Sequence, residues 1–306
     1  MKIITETAQA GPRVVALGTF DGVHRGHQAL IREGRRLAEE TGALLRVCTF
    51  DRHPLEVLRP ERAPRMLETP EEQAANMDAL GVDELRVIPF TRDTADTPPE
   101  EFLRRLRAEC DLRAVVVGWN YSFGRQGAGN PEMLIRDGAE HGYQVVVVPS
   151  VKDEKGEVIS STAIRNKLQV GDLEGANRML GYDYALSGLV VNGKHEGTRI
   201  GFPTANIETD GRKQLPAYGV YACWMESGGQ RWPAVVNIGL QPTLPSGKVT
   251  VEAHALDVEV DLYGQEAKVS LKKYLRGETK FDNVSQLIHQ IAQDKEDARC
   301  FLAEKG

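Results

Sequence analysis

Along roughly the first 180 residues, apolar positions gather in short runs separated by stretches with helical spacing. The runs are RVVAL at 13–17, ALLRVCTF at 43–50, ELRVIPF at 84–90, RAVVVG at 113–118 and YQVVVVP at 143–149. Unbroken Val-rich runs suit strands buried on both faces of a parallel sheet. The stretches near 26–41, 70–80, 98–110 and 130–141 predict crossover helices. Strand and helix in alternation predict a doubly wound α/β domain, whose ligands bind at the carboxyl ends of the strands. The polar segment VKDEKGE at 151–157 reads as an exposed loop of that domain.

Past Leu180 and Gly181 the pattern changes to alternation. Apolar and polar positions take turns at 186–191, 218–226, 231–239, 249–260 and 267–275, with Gly, Pro and Asn between them. This predicts antiparallel strands closing into a small barrel. Val284, Leu287, Ile288 and Ile291 then recur at helical spacing, with Asp282 or Asn283 as the cap, so a terminal helix is expected on the barrel. The expected fold is α/β followed by β, with domains over 1–183 and 184–306.

Length and charge bound the function without choosing it. At 306 residues two domains are expected, and a net charge of −6 argues against a general nucleic-acid binder. An apolar fraction of 41% with 27% charged residues is that of an ordinary soluble globular chain. No run reaches the ~18 apolar residues of a membrane helix, and the N-terminus lacks a secretory apolar stretch. Cysteines 48, 110, 223 and 300 form no CxxC pair, which is expected of reduced thiols in a cytoplasmic protein. No membrane or nucleic-acid partner is expected, and oligomeric state is left open.

Two segments carry the chemistry. The first is GTFDGVHRGHQ at 18–28, between the first buried strand and a helix. Gly22 and Gly26 allow a tight turn and a close ligand approach. The helix start supplies free N–H groups and a positive dipole end, where His24 and His27 would meet the same anion. Such donors suit attack on an α-phosphate, because charge builds on its non-bridging oxygens. The second is GTRIGFPTAN at 197–206, with Gly193 before it. Its glycines let a loop lie over phosphates. Thr204 and Asn206, two apart on an extended segment, offer the hard oxygen ligands that Mg²⁺ accepts. Read without further context, each segment also fits a simpler role: surface histidines beside a turn, and an ordinary Gly-Pro turn.

The longer motifs narrow this. GTFDGVHRGHQ resembles the signature of the nucleotidyltransferase superfamily in the form found in prokaryotic FAD synthetases. The resemblance implies a Rossmann-like nucleotidyltransferase domain in which His24 and His27 contact the ATP phosphates. Gly18, Phe20, Asp21, Gly22 and Gly26 would shape that pocket. ISSTAIR at 159–165 is similar to an element of the same enzymes, implying ATP contacts from Ser161, Thr162 and Arg165. GWNYSFG at 118–124 resembles their flavin-side element, which implies Asn120, Tyr121 and Phe123 near the flavin. DRHP at 51–54 resembles their F-D-P-H-P turn, with Arg52 in place of a proline, and brings in His53.

GFPTANI resembles the signature of riboflavin kinases, and the similarity continues through Asn237, Glu252, His254 and Arg276. It implies Mg–nucleotide binding by Thr204 and Asn206, with Gly193, Gly197, Arg199, Gly201 and Pro203 around the ATP. Glu252 would be the general base, and Glu252 and Arg276 would face the flavin. Thr198 stands where a basic residue is usual, and Gln241 where Arg is frequent. Taken together, the chain resembles the bifunctional riboflavin kinase/FMN adenylyltransferase family. ATP, riboflavin and FMN are then the expected substrates, FMN and FAD the products, and Mg²⁺ the expected cofactor.

Overall fold

The structure, a computed structural model, describes residues 1–4, 11–193, 201–240, 249–258 and 260–305. It contains two compact units, Met1–Ser161 and Thr162–Gly306. Among the described residues, no helix is long and apolar enough to cross a membrane.

The first unit is built on a six-stranded sheet. Its strands are β1 (Lys2–Ile4), β2 (Pro12–Leu17), β3 (Leu44–Phe50), β4 (Glu84–Ile88), β5 (Asp111–Gly118) and β6 (Gln144–Val148). They run in the order β1-β4-β3-β2-β5-β6, and every pairing is parallel. Helix α1 (Arg25–Thr41) carries the chain from β2 to β3, and the helix Pro131–His141 carries it from β5 to β6 on the other side. The strand order therefore reverses between β2 and β5, and the crevice above their carboxyl ends is where such sheets bind ligands. Ala16 pairs with Val116, so Leu17 and Gly118 end their strands at nearly one level. The two faces of the sheet are closed by separate apolar clusters. One contains Val14, Ala16, Leu30, Ile31 and Val116, and the other Val15, Leu17, Val115, Val117 and Phe123.

The five expected strands are all present. Sequence pattern did not announce β1, a three-residue strand too short for periodicity, nor the short helix Pro54–Leu58.

In the second unit β7 (Ala185–Val191), β8 (Ala205–Thr209), β9 (Gly219–Ser227), β10 (Gln230–Leu240), β11 (Val249–Ala255) and β12 (Glu266–Arg276) form a closed barrel in the order β10-β11-β8-β7-β12-β9. All its pairings are antiparallel. The helices Ser161–Gln169 and Leu173–Leu180 group with the barrel, ahead of the 183/184 boundary expected from the change of texture. The reason lies in their contacts. Ala217 N–H donates to Leu168 O at 2.8 Å, and the Asn177 amide donates to Leu271 O at 3.0 Å while accepting from Tyr184 N–H at 2.9 Å.

The terminal helix, Val284–Lys305, is capped as expected by Asn283, whose Oδ1 accepts from Gln286 N–H at 2.9 Å. Its packing differs from the expected stripe. Ala298 and Leu302 are buried against Ala222, Val235 and Leu256, whereas Val284 and Ile288 are 57% and 38% exposed. Helical spacing marks a face; which turns of it meet the barrel depends on where the helix crosses.

Candidate active sites

The first site begins one residue beyond β2. Phe20, Gly22 and Val23 have φ of 51°, 85° and 24°, so the chain doubles back within five residues. Positive φ suits glycine at 22, but at Phe20 and β-branched Val23 it costs about 1–3 kcal/mol each. Fixed partners offset that cost. Asp21 Oδ1 accepts from Leu67 N–H at 2.8 Å, and Asp21 O accepts from the Ser161 hydroxyl at 2.8 Å. The Gln73 amide donates to Phe20 O at 3.1 Å, and Thr49 Oγ1 donates to Thr19 O at 2.9 Å.

The turn delivers His24 to the N-cap of α1. His24 Nδ1 accepts from His27 N–H at 3.3 Å, so the proton of the neutral ring sits on Nε2. The two imidazoles stack with centroids 3.7 Å apart and planes 15° from parallel. Gly26 makes room for this: a Cβ there would lie 3.1 Å from the His24 ring. His24 is buried, and His27 Nδ1 is buried with no hydrogen-bond partner. Burial, and after it the charge of His24, hold the His27 imidazole well below its ordinary value of 6.5. The result is a stacked imidazole pair at a helix start, with an orphaned buried nitrogen, which is the polar inventory of an anion site.

Across the crevice stand the residues after β5. Asn120 is exposed on the turn that follows Gly118. Tyr121 lies 5.9 Å from the Phe123 ring, with planes 23° apart, and burial pushes its hydroxyl pKa up. Phe123 itself is core: it is 5% exposed and packs on Phe102 at 4.9 Å. It backs Tyr121 instead of presenting a ring to the crevice. His53 caps Pro54–Leu58, its Nδ1 accepting from Leu55 N–H at 3.1 Å while Glu56 accepts from His53 N–H at 2.9 Å. Arg52, at the substituted position, pairs with Asp51 at 2.9 Å, and the turn still enters a helix with Pro54 at its start. Ser161 is committed to the Asp21 carbonyl, Thr162 is exposed and Arg165 is buried on its helix.

The second site is written across strands. Asn206 on β8 pairs directly with Glu252 on β11, and Glu252 pairs with Asn237 on β10. Directly opposed residues share a face, so the amide, carboxylate and amide stand in one row. Their neighbours Ile207, Val251, Ala253, Val236 and Ile238 are buried, which places the row on the outside of the barrel. Thr204 precedes Asn206 by two residues and belongs to the same face by alternation. The Asn206 amide lies against Gly193, where a Cβ would come within 2.1 Å of Nδ2. Pro203 O accepts from His254 Nδ1 at 2.6 Å. Gly201 has a φ of 85° just before this segment. Gly197 and Arg199 lie outside the described residues.

Arg276 ends β12. Its Nε donates to Asp294 Oδ1 at 2.8 Å, its Nη2 to Asp294 Oδ2 at 2.7 Å and its Nη1 to Gly277 O at 3.0 Å. The guanidinium thus fastens the terminal helix to the barrel. Asn237 was visible in the sequence only as part of a motif; the register alone puts it beside Glu252.

The FAD synthetase family matches residues 6–163, and the riboflavin kinase family matches residues 180–302. A bifunctional riboflavin kinase/FMN adenylyltransferase of Listeria monocytogenes is 36% identical over 95% of this chain and 93% of its own. Its namesakes in Bacillus subtilis and Escherichia coli strain K12 are 36% and 35% identical, over 93% and 94% of this chain and 91% and 92% of theirs. The chain belongs to the bifunctional riboflavin kinase/FMN adenylyltransferase family. A crystal structure from Streptococcus pneumoniae, described as a macrolide-efflux protein, superposes with a TM-score of 0.89 at 31% identity, covering 98% of this chain and 99% of that one. Membership in the riboflavin kinase/FMN adenylyltransferase family accounts for both halves: the imidazole pair falls in the first matched stretch, and the Asn206–Glu252–Asn237 row in the second.

Proposed function

We propose that this chain transfers phosphate from ATP to riboflavin at the barrel and then joins AMP from ATP to the resulting FMN at the crevice of the parallel sheet. The products are FMN and ADP at the first centre, FAD and pyrophosphate at the second. Residues 1–183 serve adenylyl transfer and residues 184–306 serve the kinase. The observation that carries the reading is the direct pairing of Glu252 with Asn206, which sets a carboxylate beside the segment assigned to the nucleotide.

The two acceptors differ in a way that matches the two centres. The 5′-hydroxyl of riboflavin is a neutral nucleophile, so a carboxylate that takes its proton as the bond to phosphorus forms is useful. Glu252 has that role. FMN already carries an anionic phosphate, and its attack on the α-phosphorus of ATP needs no strong base. What that step needs is donors for charge growing on the phosphate oxygens. His24 Nε2–H, His27 and the start of α1 supply them.

Mg²⁺ fits the second centre on the chemistry of its donors. Among the described residues no group of three His, Cys, Asp or Glu could hold a metal ion. Mg²⁺ needs no such cage, since it is ordinarily bound through one or two protein oxygens together with phosphates and water. Thr204 Oγ1 and Asn206 Oδ1 would hold it with the nucleotide, where it neutralises phosphate charge. Asn120 and Tyr121, with Phe123 behind, form the flavin side of the adenylyl centre, and His53 borders it. The described cysteines, all free, suit a cytoplasmic enzyme.

Incubation with ATP, Mg²⁺ and riboflavin followed by chromatography tests the reading. FMN and FAD should both appear, FMN first; recovery of riboflavin alone would overturn it.

A further inference from the structure

The β8–β11 ladder is short. It joins Glu252 to Asn206 and Ala253 to Ala205 and stops there. Pro203 has no N–H and cannot continue it by donating. One residue beyond the last pair, a side chain takes over: His254 Nδ1 lies 2.6 Å from Pro203 O. A carbonyl only accepts, so Nδ1 carries the proton and Nε2 the lone pair. His254 is buried, and its Nε2 is buried without a hydrogen-bond partner. A position needed only for packing would be served better by an apolar residue, because a buried acceptor left unpaired is unfavourable. Phe202 meets the imidazole edge-on at 5.9 Å, and Lys295 of the terminal helix sits 5.3 Å over the Phe202 ring.

We infer that His254 is a positioning residue of the kinase centre: it hangs the Phe202–Thr204 segment from the strand that bears Glu252, and so fixes the distance between nucleotide ligands and base. The inference rests on the proposed assignment of Thr204 and Asn206 to the nucleotide. Glu252 and His254 are two apart on β11, so one rigid strand holds the base with one side chain and the loop with the other.

Four single variants, made in the full chain, decide it. His254→Ala removes the strut. His254→Asn keeps an N–H donor at the Nδ1 position, and His254→Gln moves the donor out to the Nε2 position. Thr204→Val tests the underlying assignment. Initial rates of FMN formation are measured with ATP and riboflavin varied in turn, alongside thermal unfolding. The KM for ATP should rise about 10–100-fold in His254→Ala and His254→Gln, as for residues that orient ligands from behind. The KM for riboflavin should stay within about twofold, and His254→Asn should recover most of the loss. If His254→Ala does not fold, the contrast between Asn and Gln decides. Equal behaviour of Asn and Gln, or equal rises in both KM values, would overturn the inference. If Thr204→Val raises the ATP KM while His254→Ala and His254→Gln do not, only the strut is wrong. If Thr204→Val is silent as well, the nucleotide assignment itself falls.

Discussion

The two proposed centres would solve one problem, holding polyphosphate beside an acceptor, by opposite means. At the sheet crevice the phosphate side is local: one turn of eleven residues, 18–28, contains the strained backbone, the helix start and both imidazoles. At the barrel the polar row is assembled across strands. Asn206, Asn237 and Glu252 lie 15 to 46 residues apart and meet only because three strands pair in one register. A strained turn is held by many outside partners, here Leu67, Gln73, Thr49 and Ser161. A cross-strand row is held by the ladder itself, and a one-residue slip would turn every member to the other face. The first centre should therefore fail through its loop, and the second through its register or its base.

The sharpest break between the two comes from the proposed base, Glu252. Glu252→Ala should lower FMN formation by about 10²–10⁴-fold while FAD formation from supplied FMN continues, both read by chromatography of initial rates. The mirror experiment is His27→Ala, which should stall the pathway at FMN, with adenylyl transfer down by about 10²–10³-fold and the kinase rate unchanged. Loss of both activities by either variant in a folded chain would mean that the centres are not separate.

Gly26→Ala sharpens the claim about the loop. Alanine favours a helix over glycine by about 1 kcal/mol, so unfolding should show no loss of stability. Yet its Cβ would sit 3.1 Å from the His24 ring. Adenylyl transfer should fall about tenfold through displacement of the stacked pair, and the kinase should not notice. On the barrel side, Asp294→Asn removes the charge that Arg276 grips. It should cost about 1.5–3 kcal/mol of stability, read by denaturant unfolding of the second unit.

The smallest effect is shared by both centres. Burial first, and then His24, keep His27 well below 6.5. Burial first, and also Lys295, keep His254 below 6.5 although its bond to Pro203 pulls the other way. Between its folded and unfolded pKa each group binds more protons when unfolded. Stability is thus full above about pH 6.5 and declines as pH falls toward the folded values. Melting curves at about pH 7.5 and about pH 5.5 should show the drop, and His254→Asn should lessen it for the second unit.

The contrast also explains what could be read in advance. Five buried strands and their crossover helices were legible because apolar runs and helical spacing are local signals. His24 and His27 were legible for the same reason, being three residues apart at a helix start. The resemblance sets Phe123 with Tyr121 near the flavin, and the structure buries the Phe123 ring in the core, because a local motif does not say how deep a turn is buried. Arg276, which the resemblance sets beside the flavin, also grips Asp294, a partner 18 residues away that no local pattern names. The exposure of Val284 and Ile288 has the same cause: helical spacing shows a face, not the point of crossing.

What the sequence by itself determined was the order of elements, the two families of motif and the chemical types present: imidazoles at a helix start, hydroxyl and amide oxygens after a proline, and one carboxylate on a strand. Only the tertiary structure decided which of them meet. It set Asn237 beside Glu252, gave His24 and His27 their stacking and fixed His254 under Pro203. Sequence spacing controls neighbours within a helix or a strand, whereas register and burial are settled by the whole core at once.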